Sequence, residues 1–172
     1  MASSQIPSPR VERGQGVRVF LTTHINAPVE RVFDLARSIT LHQESMRHTD
    51  EKAVGGVTEG LIQLGQTVTW QAKHLFKTRL LTVQITAMVP YESFTDEMVK
   101  GDFKNMRHHH YFKATANGTV MEDEFSFASP YGVLGQMVDR YFLTQYMKRL
   151  LQQRNAVIKA YAESHTWKTV LV

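Results

Sequence analysis

Among its 172 residues the chain has no cysteine. That excludes a disulfide framework, a thiolate metal site and a cysteine nucleophile, and makes a reducing cytoplasm the expected location. Long apolar runs are missing too. None approaches the roughly 20 residues needed to cross a bilayer, so no stable membrane insertion is expected. The net charge is +4, but the basic residues alternate with acids and apolar residues instead of forming a patch, and no nucleic-acid partner is expected. Gly55-Gly56, Gly60 and Gly65 lack the strand-turn-helix setting and lysine of a phosphate cradle and read as turns. Ser45, Ser93 and Ser126 lack the spacing of a nucleophile elbow.

What is present is the composition of an ordinary globular protein, 42% hydrophobic and 21% charged, in a length that buries one core without cross-links. Residues 1–15, rich in Ser, Pro, Gly and charge, read as a flexible leader, 16–163 as a single domain and 164–172 as a C-terminal tail. That tail is apolar enough to dock on a neighbour or on its own domain, and the oligomeric state stays open.

Residues 17–26 alternate between two faces, which predicts a half-buried strand. Ala27-Pro28 stops it, and the stripe Val29, Val32, Phe33 and Ala36 predicts a short helix, with a second over 39–46. From Lys52 to Ala128 the period is two, in segments 52–55, 66–76, 78–89, 93–100, 105–116 and 119–128, the last pair joined by Asn117-Gly118. Short turns make such strands antiparallel. From Tyr131 to about Glu163 an apolar stripe recurs at spacings of three and four. A helix of that length is a rod of roughly 45–50 Å.

The expected fold class is therefore α+β: a seven-stranded curved antiparallel sheet wrapped around a long C-terminal helix, with two short helices after strand 1. A sheet gripping a rod is rarely filled by its own side chains, so a cavity is expected between them.

The sequence also resembles a family. HINAPVERVFDLA at 24–36 is similar to the opening of SRPBCC superfamily proteins (START-like, polyketide cyclase/dehydrase-like). FTDEMVKGDF at 94–103, RHHHYF at 107–112, GTVMEDEFSF at 118–127 and the segment 129–154 resemble a small bacterial subgroup of unknown role. The resemblance spans residues 16–163 and implies the helix-grip fold. It implies no single function, because the superfamily includes carriers, receptors and cyclases. Asp102 stands where relatives more often have Pro, which implies a looser turn at Gly101.

Alternation sends Trp70 and His74, then Leu81 and Val83, then Phe94, Asp96 and Met98 toward the cavity. His108, His110 and Phe112 follow, then Met121, Asp123 and Phe125, with Tyr141 facing in from the long helix. The apolar members suit a small hydrophobic molecule as partner. The polar ones, His74, Asp96, His108, His110 and Asp123, have three open roles: satisfying one another, anchoring a ligand's polar head, or acid-base catalysis with His108 and Asp123 as candidates. His108 and His110 share a face and could reach one ion with Asp96 or Asp123, but the expectation is no metal and no cofactor. Trp70 stacks on a flat ligand or belongs to the core. Loops 55–65 and 90–93 are the expected entrance, and Leu134-Gly135 could serve in a lid. Binding or carriage of a lipid, isoprenoid or polyketide-like molecule is the leading expectation. A cyclase or dehydratase is the alternative.

Overall fold

The computed structural model describes residues 16–74, 76–130 and 139–171, the side chains of 74, 139 and 140 excepted. The alternating segments become β1 (Val17–Ile25), β2 (Lys52–Gly56), β3 (Thr67–His74), β4 (Lys77–Val89), β5 (Ser93–Lys100), β6 (Asn105–Thr115) and β7 (Gly118–Ala128). They form one antiparallel sheet in the order β1-β7-β6-β5-β4-β3-β2. Each strand from β2 onward pairs with its neighbour in sequence, and β1 closes on β7 from Val17↔Phe127 to Ile25↔Thr119. The expected α+β, helix-grip architecture is the one observed.

Bulges supply curvature where the sheet must bend. Register shifts between Thr82/Val83 and Ile85/Ala87 in the β4–β5 pair, and between Ala53/Gly55 in β2–β3. The extra residue bends its strand and increases the local twist. The Asn117-Gly118 hairpin closes tightly against the end of β1. Gly118 has φ 137, and a Cβ there would meet the Ile25 carbonyl oxygen at 2.2 Å, so only glycine fits.

Helix α1 (Val29–Ala36) starts after Pro28 and buries Val32, Phe33, Leu35 and Ala36. Phe33 sits edge-on to Tyr91, Phe94 and Phe112 at 5.3–5.7 Å, which fixes the helix on the strands. Helix α2 (Ile39–Ser45) is capped by Ser38, whose hydroxyl accepts from the Leu41 N–H at 3.2 Å. The C-terminal helix α3 (Thr144–Glu163) packs on β1, α1 and α2.

The expected facing of Tyr141 and Phe142 needs correction. Over the described part of the long helix, Thr144–Glu163 is regular α-helix, and a π turn, Asp139–Leu143, leads into it. A π turn carries an extra residue, so its own residues are rotated about the axis relative to the stripe. Tyr141 and Phe142 are accordingly 72% and 52% exposed, although their spacing had placed them on the buried side. Residues 131–138, including the lid expected at Leu134-Gly135, lie outside the described residues, as does the leader.

The tail packs on its own domain. After a short turn of 3-10 helix, α4 (Lys168–Leu171) follows, and Trp167, Val170 and Leu171 rest on the core. The Arg31 guanidinium stands 4.5 Å from the Trp167 ring centre. At Gly101 the unusual Asp102 receives a hydrogen bond from Arg79 Nη1 at 2.5 Å, which ties that turn to β4 where a proline is absent. Among the described residues no helix is long and apolar enough to cross a membrane.

Candidate functional site

Helix α3 leans toward the β1 end of the sheet, packing on β1 and the two short helices. The concave face of β3–β6 is left incompletely covered, and a partly open cavity of about 160 Å³ remains there. Trp70, Leu81, Val83, Phe94, Asp96, His108, His110 and Phe125 all line it. Other expected site residues lie elsewhere. Phe112 packs against Phe33 and Phe94. Met121 is fully buried in the core, and Met98 packs at its margin. Asp123 is buried behind the cavity wall and adjoins it through His108, His110 and Arg154. Tyr141 is on the surface. His74 belongs to β3, but its side chain lies outside the described residues. Of the two expected entrance loops, 55–65 contributes Ile62 and 90–93 contributes nothing to the lining.

The polar part of the wall comes from three neighbouring strands. Register sets Asp96 directly opposite His108 and His110 directly opposite Asp123. The hydrogen bonds run along the diagonals instead. His108 Nε2 donates to Asp123 Oδ1 at 2.9 Å, and His110 Nε2 donates to Asp96 Oδ1 at 3.1 Å. Long side chains reach diagonal partners on one sheet face, so direct opposition is not required. The two imidazoles lie against each other with ring centres 3.8 Å apart, and Phe94 stacks on His110 at 4.2 Å.

Asp123 is the hub. Its second oxygen accepts from Asn155 Nδ2 at 2.6 Å, and Arg154 Nη1 stands 3.8 Å from the first. His110 Nδ1 also lies 2.9 Å from Asp123 Oδ1, but off the line a hydrogen bond requires, and this nitrogen is buried without a hydrogen-bond partner. Burial alone would raise the Asp123 carboxyl, yet the His108 hydrogen bond and the His110 imidazole close beside it hold it well below the ordinary carboxylate range. Asp96 is lowered as well: burial opposes, and the His110 hydrogen bond outweighs it only together with the charge interactions from His108, His110 and Arg154. Burial, reinforced by His110, pulls His108 down to about 4 against the pull of Asp123. At neutral pH the wall therefore carries two carboxylates and an uncharged His108.

A second imidazole–carboxylate pair lines the same cavity from α2 and the segment before β2. His42 Nε2 contacts Glu51 Oε1, and the His42 ring stacks on Trp70 at 4.2 Å. One face of Trp70 is thereby taken, leaving it partly a core residue. Burial, with a smaller contribution from the Glu51 charge, raises Tyr146.

His42, Glu51, Arg154 and Asn155 were not singled out from the sequence. For the last two a signal existed. Arg154 and Asn155 follow Leu150 and Leu151 by four residues, so both occupy the apolar stripe, and a charge there marks a buried polar contact. Arg154 Nη2 indeed donates to the Ala36 carbonyl at 2.8 Å. No periodic signal marks His42 and Glu51, which meet through a loop.

Asp96, His108 and His110 each offer a donor atom within 4.8 Å of the others, a spacing that could hold a metal ion. The cavity thus offers an apolar interior, a buried hydrogen-bonding group at one wall and a second polar pair at another.

No protein-family model matches the sequence, and no curated protein does. The fold has clear counterparts among solved structures. The ginseng major latex-like protein 151 from Panax ginseng matches with a TM-score of 0.65 at 12% identity, over 88% of this chain and all of its own. The KanY protein matches at 0.66 and 14%, over 87% of this chain and 99% of its own. The di-domain ARO/CYC StfQ from the steffimycin biosynthetic pathway matches at 0.66 and 14%, over 88% of this chain and 52% of its own. At these identities the likeness concerns the fold alone. Together with the topology, it shows that this chain has the helix-grip fold of SRPBCC-type proteins.

Proposed function

We propose that the 16–163 domain binds a small, mostly apolar molecule carrying one polar group, with its polar end at Asp96, His108 and His110 and its apolar body against Trp70, Val83 and Phe125. The observation that carries this reading is the cavity of about 160 Å³ whose lining is mostly apolar, with Asp96, His108 and His110 grouped on one wall and the remaining polar groups, among them His42, Glu51 and Arg154, on the helical side. Cores are close-packed, and a hollow this large is a departure from the rule. An apolar cavity of about 150 Å³ takes up a single benzene ring. The enclosed part of the ligand is therefore of one- or two-ring size, and a long lipid or a sterol would have to project through the opening. Burying 150–250 Å² of apolar ligand surface supplies about 4–6 kcal/mol before the cost of ordering. The cysteine-free composition favours a reducing compartment, the cytoplasm, as the place of action.

The test uses Trp70, which lines the cavity. In a Trp167→Phe background its fluorescence should respond saturably to an apolar aromatic probe such as anilinonaphthalene sulfonate. Met147 lies on the α3 side of the lining, and Met147→Trp should fill the space and cut probe affinity at least tenfold while the circular dichroism spectrum is kept. Native mass spectrometry of protein purified without refolding should show a small bound species in the first protein and none in the second. Equal probe binding by both would overturn the reading.

One observation favours a second reading, acid-base catalysis of cyclase or dehydratase type. The His108–Asp123 pair sits in the wall of a cavity, with the imidazole neutral at physiological pH and oriented by an ionised carboxylate. That is the state a general base requires. A binder should lose affinity modestly in His108→Gln, whereas an enzyme should lose turnover by orders of magnitude while still binding.

A further inference from the structure

The same wall carries more protein donors than a ligand's polar head needs. From their placement we propose that Asp96, His108 and His110 form a binding site for one divalent first-row transition-metal ion. Two imidazoles and a carboxylate would be its protein ligands, and its remaining positions would face the cavity. The proposal is independent of which organic molecule occupies that cavity.

Three features support it. The donor atoms of the three residues lie within 4.8 Å of one another. His110 Nε2 and Asp96 Oδ1 are 3.1 Å apart, the separation of two adjacent donors on an ion with bonds near 2.1 Å and an angle of about 95°. An ion at that edge would replace the proton now shared between them. The second feature is the tautomer. A metal on His110 Nε2 moves the ring proton to Nδ1, the buried nitrogen that has no hydrogen-bond partner and lies 2.9 Å from Asp123 Oδ1, off the line of a hydrogen bond until the ring turns. Loading would thus give that nitrogen a proton to offer. His108 already donates Nε2–H to the same oxygen, which leaves Nδ1 as its donor to an ion.

The third feature is the outer shell. Metal-bound histidines usually donate their other N–H to a carboxylate that fixes the tautomer and raises ligand basicity. Asp123 already holds His108 in this way, a turn of the His110 ring would bring its Nδ1–H onto the same oxygen, and the carboxylate is itself held by Asn155 at 2.6 Å. The carboxylates suit a cation as well: Asp123 is buried and Asp96 partly buried, with Arg154 3.8 Å from Asp123. Imidazole with one carboxylate suits zinc, iron(II), cobalt or nickel rather than calcium or magnesium.

The test is a titration of chelator-treated full-length protein with Co²⁺ and Zn²⁺, followed by visible absorption and calorimetry. One equivalent of Co²⁺ should give a saturable ligand-field band that Zn²⁺ displaces. His110→Gln and Asp96→Asn should each weaken Zn²⁺ at least 100-fold, and Asp123→Asn should weaken it 10- to 100-fold through the outer shell. His109→Gln, on the other face of β6 and bonded to Thr95, should leave it unchanged. Circular dichroism and the apolar-probe titration on each variant separate lost metal from lost fold and from lost ligand uptake. Equal losses in His109→Gln and His110→Gln would mean that Co²⁺ sits on the histidine run generally. That result, or a wild-type protein that shows no cobalt band, would sink the proposal.

Discussion

At the scale of single residues, the polar wall is governed by where protons sit. His108 is buried, and its burial, with His110 beside it, lowers it from the ordinary 6.5 to about 4. Below pH 6.5 the unfolded chain takes up a proton that the folded protein declines until about pH 4. The contribution to folding is therefore full above 6.5 and is lost as the pH falls through that window. For metal-free protein in chelator, lowering the pH from 6.5 to 5 should cost roughly 2 kcal/mol of unfolding free energy from this group. Urea denaturation should show the slope in wild type and a flatter one in His108→Gln. Equal slopes would show that the imidazole is not excluded from protonation in the fold. Alternation in β5, β6 and β7 made Asp96, His108, His110 and Asp123 legible as neighbours on one face. It could not show that the bonds run diagonally, because that depends on register and side-chain reach.

Between elements, the decisive tie is polar. Arg154 is 5% exposed and donates from α3 to the Ala36 carbonyl at the end of α1, where a cation also meets the negative end of that helix. Arg154→Met keeps much of the volume but strands that carbonyl and removes the guanidinium that stands 3.8 Å from Asp123. A loss of about 2–4 kcal/mol should appear in urea denaturation. A variant as stable as wild type would show that water replaces the guanidinium at no cost. The same helix shows what periodicity hides. Its stripe is regular from Leu150 to Ala162, yet the π turn before it breaks the phase, and no single residue announces that turn. Tyr141 was misplaced by the turn, and Arg154 was overlooked although its spacing gave it away.

For the molecule as a whole, the order and pairing of strands follow from hairpin signals such as Asn117-Gly118 and from the Pro28 stop. The size of the hollow does not. It depends on how far α3 leans toward β1, a difference of a few ångströms that no pattern of residues encodes. Because only the folded state has this cavity, a ligand that enters it should stabilise the domain by mass action. At a concentration 100 times its dissociation constant it adds about 2.7 kcal/mol, or roughly 5–10 °C in melting temperature for a protein of this length. Differential scanning calorimetry with the apolar probe checks this, and Met147→Trp should show no such gain.

The pairing of β1 with β7 has a consequence for how the chain assembles. Val17 and Phe127 are partners, so about 110 residues separate the two sides of that ladder, and loops of this span are closed late. As the polypeptide leaves the ribosome, β1 emerges early and waits, its backbone unpaired, until the last strand is made. The β2–β7 meander can form from local hairpins, but the seam joining the first strand to the last is sealed only when nearly the whole domain exists. Chains cut short before Gly118 should expose that waiting strand and aggregate.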